Sequence, residues 1–156
     1  METEEKESQA IFARMARLCS KAEQCTPDIR KKIRELGGNS LLTEKIIARL
    51  EQESYLNDER YVSTYISDKM KLNRWGRIKI RYYLKMKGLN EKVIQMGLAS
   101  IDDAEYVRLL VRTMKEKAKG IKKADKYEKM GQIIRFTQSR GFEPELIHRH
   151  LHEVTG

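Results

Sequence analysis

Three glycines set the frame of this chain. Gly37, Gly88 and Gly141 stand 51 and 53 residues apart, and each closes a run in which apolar residues recur at helical spacing. Four residues before them come Ile33, Leu84 and Thr137, and four earlier again Ile29, Ile80 and Ile133. A glycine just past such a run reads as a helix C-cap, because it takes up left-handed backbone without a Cβ clash. The residues beyond the second and third glycines also match: Ile94 and Ile147 lie six on, and Leu98 and Leu151 ten on. In the first copy the equivalent Leu50 lies thirteen on, so its loop is longer. Self-similarity of this kind predicts tandem units that share a core, here three units of three helices each, against the alternative of one irregular helical bundle. Composition agrees, since 2 Pro and 9 Gly in 156 residues are few for a turn-rich sheet protein.

The expected fold is therefore all-α, built of three tandem three-helix (helix-turn-helix-like) repeats. The boundaries read as an acidic N-terminal tail over 1–9 and repeats over 10–56, 57–101 and 102–156. Ile11, Met15, Leu18 and Ala22 mark one face of the first helix. Thr26 is the expected N-cap of the second, with Pro27 at its first position, and Thr43 that of the third. Asn57 or Asp58 opens the fourth, Asn90 the sixth, and the third repeat runs from Asp102.

Net charge is +9, which suits nucleic acid, an anionic membrane surface or an acidic protein. No stretch approaches the ~18 apolar residues of a membrane span, and "METEEKE" lacks the apolar core of a secretory signal. Cys19 and Cys25, six apart, form neither a CxxC pair nor a structural zinc set and fit a reducing cytoplasm.

The charge concentrates in the middle repeat. Residues 69–92 carry Lys69, Lys71, Arg74, Arg77, Lys79, Arg81, Lys85, Lys87 and Lys92 against Glu91 alone. Arg74, Arg77, Arg81 and Lys85 fall at i, i+3, i+7 and i+11, one stripe opposite the inward Ile80 and Leu84. A solvated face would usually mix in Glu, so the stripe reads as a surface for an anion, with a merely solvated face as the alternative. Lys69, Lys71, Arg74, Arg77, Arg81, Lys85 and Lys87 are the primary contact candidates. A second, mixed stretch adds Lys115, Lys119, Lys122, Lys123 and Lys126 as secondary candidates. The single Trp75, beside Gly76, either packs into the small core beneath it or stacks on a base or partner. Gly76 would let the preceding helix approach closely. Tyr61 and Tyr65 look like core, and Tyr82 lies nearer the basic side.

Catalytic chemistry is not evident. There is no GxxxxGK[ST], HExxH or GxSxG motif and no paired-carboxylate arrangement. His148 and His152 sit four apart, but no third ligand is obvious, so the expectation is no metal, no cofactor and no enzyme activity.

"LNDERYVSTYISDKMKLNRWGRIKIRYYLKMKGLN" resembles the signature of the RecX regulators of the RecA recombinase. Its acidic start matches through Asp58, Glu59, Arg60 and Tyr61. The second stretch matches through Trp75, Gly76, Lys79, Ile80, Leu84, Lys87 and Gly88. Arg135, Phe136, Arg140, Gly141 and Phe142 resemble the family's C-terminal element, while Thr137 stands where an apolar residue is usual. The resemblance implies an elongated, curved molecule lying in the groove of the RecA–DNA filament. There it would inhibit ATP hydrolysis and strand exchange, or promote filament disassembly, in DNA repair, homologous recombination and the SOS response. It also implies a cytoplasmic monomer with RecA filament as partner, single- and double-stranded DNA as weaker ones, and no membrane. Reversing Arg77 and Arg81 to Glu would then abolish filament binding with helicity intact. A free-standing helical DNA-binding protein is the competing reading.

Overall fold

The glycine frame is written into the backbone. In the computed structural model, which describes residues 2–122 and 124–155, Gly37, Gly88 and Gly141 take φ of +94°, +88° and +94°. Their amides donate to the carbonyls three residues back, Arg34, Lys85 and Gln138, at 3.0, 2.9 and 2.9 Å. At the first and third, the next amide also reaches the carbonyl five back, from Gly38 to Ile33 and from Phe142 to Thr137. These paired bonds satisfy carbonyls that the helix end would otherwise leave open.

The described residues form helices joined by short turns and loops and hold no strand. The helices are α1 (Glu2–Lys21), α2 (Thr26–Glu35), α3 (Ser40–Gln52), α4 (Asp58–Asn73), α5 (Arg77–Met86), α6 (Glu91–Ala99), α7 (Asp103–Gly120), α8 (Lys126–Ser139), α9 (Pro144–His150) and α10 (His152–Thr155). The acidic stretch read as a tail is helical from Glu2, with Glu2, Glu4 and Glu5 in the first turn, where the helix dipole favours them.

Two caps differ from the sequence reading. The N-cap of α2 is Cys25, in extended backbone, and Thr26 begins the helix instead. The Thr26 amide and hydroxyl both donate to the Asp58 carboxylate, at 2.8 and 3.0 Å, so a residue distant in sequence does the capping work. Asn39, not Thr43, caps α3, accepting from the Leu42 amide at 2.9 Å. Thr43 is buried within that helix and returns its hydroxyl to the Asn39 carbonyl. Asn57 rather than Asp58 caps α4, accepting from the Arg60 amide. Asn90, Asp102 and Asp125 cap α6, α7 and α8 through their side chains.

The chain divides into two compact units, Met1–Thr64 with Lys85–Ile94, and Tyr65–Leu84 with Gln95–Gly156. The core of the first gathers Ile11, Phe12, Met15, Ile29, Ile33, Ile46, Ile47, Leu50 and Leu56 from α1, α2, α3 and the loop beyond. Cys19 and Cys25 are both buried and free. The core of the second gathers Tyr106, Leu109, Leu110, Met114, Ile133, Phe142, Ile147 and Leu151. Each fully buried Ile or Leu contributes about 1.5–3 kcal/mol. Ile80 and Leu84 are fully buried as well. Thr137 is a buried polar residue at an apolar site, and its hydroxyl donates back to the Ile133 carbonyl at 2.8 Å.

Candidate polyanion-binding face

The basic stripe is largely occupied by partners within the protein. Arg77 donates to Glu143 at 2.9 Å and Asp103 at 2.7 Å, and its guanidinium lies 3.9 Å from the Tyr106 ring centroid. The Arg77 amide donates to the Tyr106 hydroxyl, which in turn donates to Glu143. Burial alone would lower the guanidinium's proton affinity, but the two carboxylates outweigh it and raise it. Burial, then the bond to Glu143, pushes the Tyr106 phenol up. Arg77 therefore ties α5 to α7 and the start of α9. Reversing Arg77 would remove these internal contacts as well as any contact to a filament.

Arg74 follows α4 with φ of +55°, left-handed backbone that costs a non-glycine residue about 1–2 kcal/mol. Its guanidinium pairs with Glu116 at 2.5 Å without hydrogen-bond alignment. Arg81 donates to Gln95, Lys85 pairs with Glu91, and Lys87 with Asp28.

The Lys87–Asp28 pair sits in the first unit beside Cys25 and Tyr61. Burial would raise the Asp28 carboxyl, but the bonds from Lys87 and Cys25 hold it below its ordinary value. The bond to Asp28 raises Lys87. Burial pushes the Cys25 thiol up to about 11 and the Tyr61 phenol up to about 12. Tyr61 and Tyr65 are half-buried, less enclosed than a core reading implies.

Within residues 65–84, Lys69, Lys71 and Lys79 make no ion pair with a carboxylate among the described residues, and Lys79 donates to the Ser139 carbonyl at 3.3 Å. Two of them converge on Trp75. The Lys69 and Lys79 ammonium groups each lie 4.8 Å from its ring centroid. Exposed cation–π contacts of this kind contribute about 0.5–1 kcal/mol each. Trp75 is half-buried, not in the core, and stacks on Tyr83 with centroids 5.0 Å apart and planes at 25°. Tyr82 meets Tyr83 edge-on at 5.2 Å and is 57% exposed.

Gly76 holds this cluster in place, through a contact the sequence reading misassigned. A Cβ there would lie 2.5 Å from the Gly141 carbonyl oxygen and 2.6 Å from the Phe142 nitrogen, so the close neighbour is the α8–α9 turn, not the preceding helix. The Gly76 amide donates to the Arg140 carbonyl at 2.7 Å, and the Ile78 amide to that of Gly141 at 3.0 Å. The secondary candidates Lys115, Lys119, Lys122 and Lys126 are exposed, and Lys123 lies outside the described residues. Among the described residues no cluster of metal-ligating side chains is present, and no helix is long and apolar enough to cross a membrane.

The positions that carry these contacts, from Asp58 through Gly88, fall inside residues 57–98, which match the RecX second three-helix domain. The chain is 30% identical over 128 residues to the regulatory protein RecX of Clostridium perfringens strain SM101, covering 81% of this chain and 59% of that one. Over most of its length the chain is similar to RecX regulatory proteins. The RecX of Chlorobaculum tepidum is 28% identical, covering 83% of this chain and 78% of the relative. A crystal structure of RecX from Lactobacillus salivarius superposes with a TM-score of 0.88 at 19% identity, over 96% of this chain and 97% of that one, and shares the all-helical fold. The chain spans about 59–60% of the length of the clostridial RecX proteins it matches first.

Proposed function

We propose that this protein is a RecX-family regulator that binds the RecA–DNA filament as a cytoplasmic monomer and inhibits RecA's ATP hydrolysis and strand exchange. The observation that carries the reading is the pair of lysines without carboxylate partners, Lys69 and Lys79, that converge on Trp75 in the segment that matches the family, with the exposed Lys71 two residues on from Lys69. Positive charge left unpaired beside exposed aromatics fits a polyanion better than it fits folding. Among the basic candidates, Lys69 and Lys71 make direct contact and the exposed Lys115, Lys119, Lys122 and Lys126 assist. Arg74, Arg77 and Arg81 are held by partners inside the second unit, and Lys85 and Lys87 by partners inside the first. The organisation into three tandem three-helix repeats belongs to the same proposal.

The test is DNA-dependent ATP hydrolysis by the cognate RecA, titrated with this protein. Inhibition below one protein per RecA protomer is the expected result. No effect, together with tight and steeply salt-dependent binding to bare DNA, would replace the proposal with a free-standing DNA-binding protein.

A further inference from the structure

The face around Trp75 carries more than charge. On α5, Ile80 and Leu84 turn fully inward, while Ile78, Tyr82 and Tyr83 are 50%, 57% and 41% exposed. Those exposed side chains do not serve the core. Tyr83 stacks on the ring on which Lys69 and Lys79 converge, and Tyr82 meets Tyr83 edge-on. Phosphates of a duplex need only the positive charge, because the bases of a duplex have their faces covered by one another. An unpaired base has a free π-face and its own flanking phosphates.

We propose that Trp75, Tyr82 and Tyr83 form a stacking platform for an unpaired base of single-stranded DNA, with Lys69 and Lys79 taking the adjacent phosphates. On arrival the base takes over the aromatic surface, and the ammonium groups exchange a ring for a phosphate oxygen. The proposal rests on the reading of this protein as a ligand of a DNA-bearing filament, but it names the strand state and the residues that select it. Stacking of this kind tolerates any base, so no sequence preference follows.

The chain has one tryptophan, and it lies in the platform, so its fluorescence reports the site directly. The intact protein is titrated with an oligothymidylate of about 16 nucleotides, the upper end of platform site sizes, and with a hairpin duplex at equal salt, following both Trp75 emission and DNA anisotropy. The expected result is quenching by the single strand and at least about tenfold tighter binding of it than of the duplex. Tyr82→Ala, at an exposed site, is expected to weaken single-strand binding about tenfold and duplex binding less than about twofold. Lys69→Gln is expected to lower the salt slope by about one unit. Equal affinities, binding without quenching, or unchanged single-strand affinity in Tyr82→Ala would each overturn the platform. RecA ATPase measured alongside separates the two ideas. Inhibition without quenching leaves the filament reading and removes the platform; quenching without inhibition does the reverse.

Discussion

Gly37, Gly88 and Gly141 share one backbone conformation but not one environment, which allows a matched series of alanine substitutions. At Gly37 an added Cβ meets nothing within 4 Å, and at Gly88 it meets only the Pro27 ring, at 3.6 Å. At Gly141 it would overlap the Lys79 side chain and lie 2.5 Å from the Lys79 backbone nitrogen, where no rotamer change gives relief. Gly37→Ala and Gly88→Ala should therefore lose only the left-handed term, about 1–2 kcal/mol each. Gly141→Ala adds an overpacking cost of about 1–3 kcal/mol, for a total of about 2–5 kcal/mol. Gly76→Ala meets the same approach from the other side and incurs the contact cost without the conformational one. With a urea slope of about 2 kcal/mol per M, the midpoint should fall about 0.5–1 M for Gly37→Ala and about 1–2.5 M for Gly141→Ala. Far-ultraviolet circular dichroism follows the helices, and Trp75 emission follows the unit that holds Gly76 and Gly141. The Gly76→Ala/Gly141→Ala pair should be less damaging than the sum of its parts by about 0.5–3 kcal/mol, since one separation of the backbones relieves both contacts. Equal shifts across the three left-handed glycines, or strict additivity in the double variant, would refute the claim that these backbones meet.

Arg77→Lys should destabilise by about 1–3 kcal/mol, because a single ammonium cannot serve Asp103 and Glu143 together; an unchanged urea midpoint would show that Arg77 is available to a ligand. The Asp28 carboxyl is held below its ordinary value, so its stabilisation is present above about pH 4 and lost as pH falls through the lowered value. Asp28→Asn should flatten that acid limb of the stability profile, and an identical acid limb in the variant would contradict the assignment. With its thiol buried and pushed up to about 11, Cys25 should resist a disulfide reagent near pH 8 and react only on unfolding. Rapid labelling of Cys25 in the folded protein would count against that burial.

Helix positions and their glycine ends were legible because both are local. A 3.6-residue period and a left-handed C-cap need no information beyond a dozen neighbouring residues. The same local view misplaced Thr26 and Thr43 as caps, since Asp58 reaches the first from 32 residues away and an Asn39 side chain was available for the second. Periodicity put Arg74, Arg77, Arg81 and Lys85 on one helical stripe, but only the last three lie on α5; Arg74 falls in left-handed backbone after α4, and periodicity was silent on the partners of all four. Asp103 and Glu143 lie 26 and 66 residues from Arg77, and only the folded chain brings them to its guanidinium. The sequence shows Lys79 only as one basic residue among nine; its closeness to Trp75 emerges when α4, the following turn and α5 are assembled. The one available hint was the interleaving of Lys with Trp and Tyr between 69 and 83.

Thr43, Thr113 and Thr137 are fully buried, and each returns its hydroxyl to the carbonyl four residues back. Seen from the surrounding core, such a threonine has the outline of valine, with its one polar atom already matched inside its own helix. Exchange between threonine and a β-branched hydrocarbon at these sites alters the hydropathy of the chain while leaving the cavity it fills unchanged. Selection acting on shape would then let the letters wander, and the third copy can lose its apolar signature at residue 137 without losing the helix end that the residue supports.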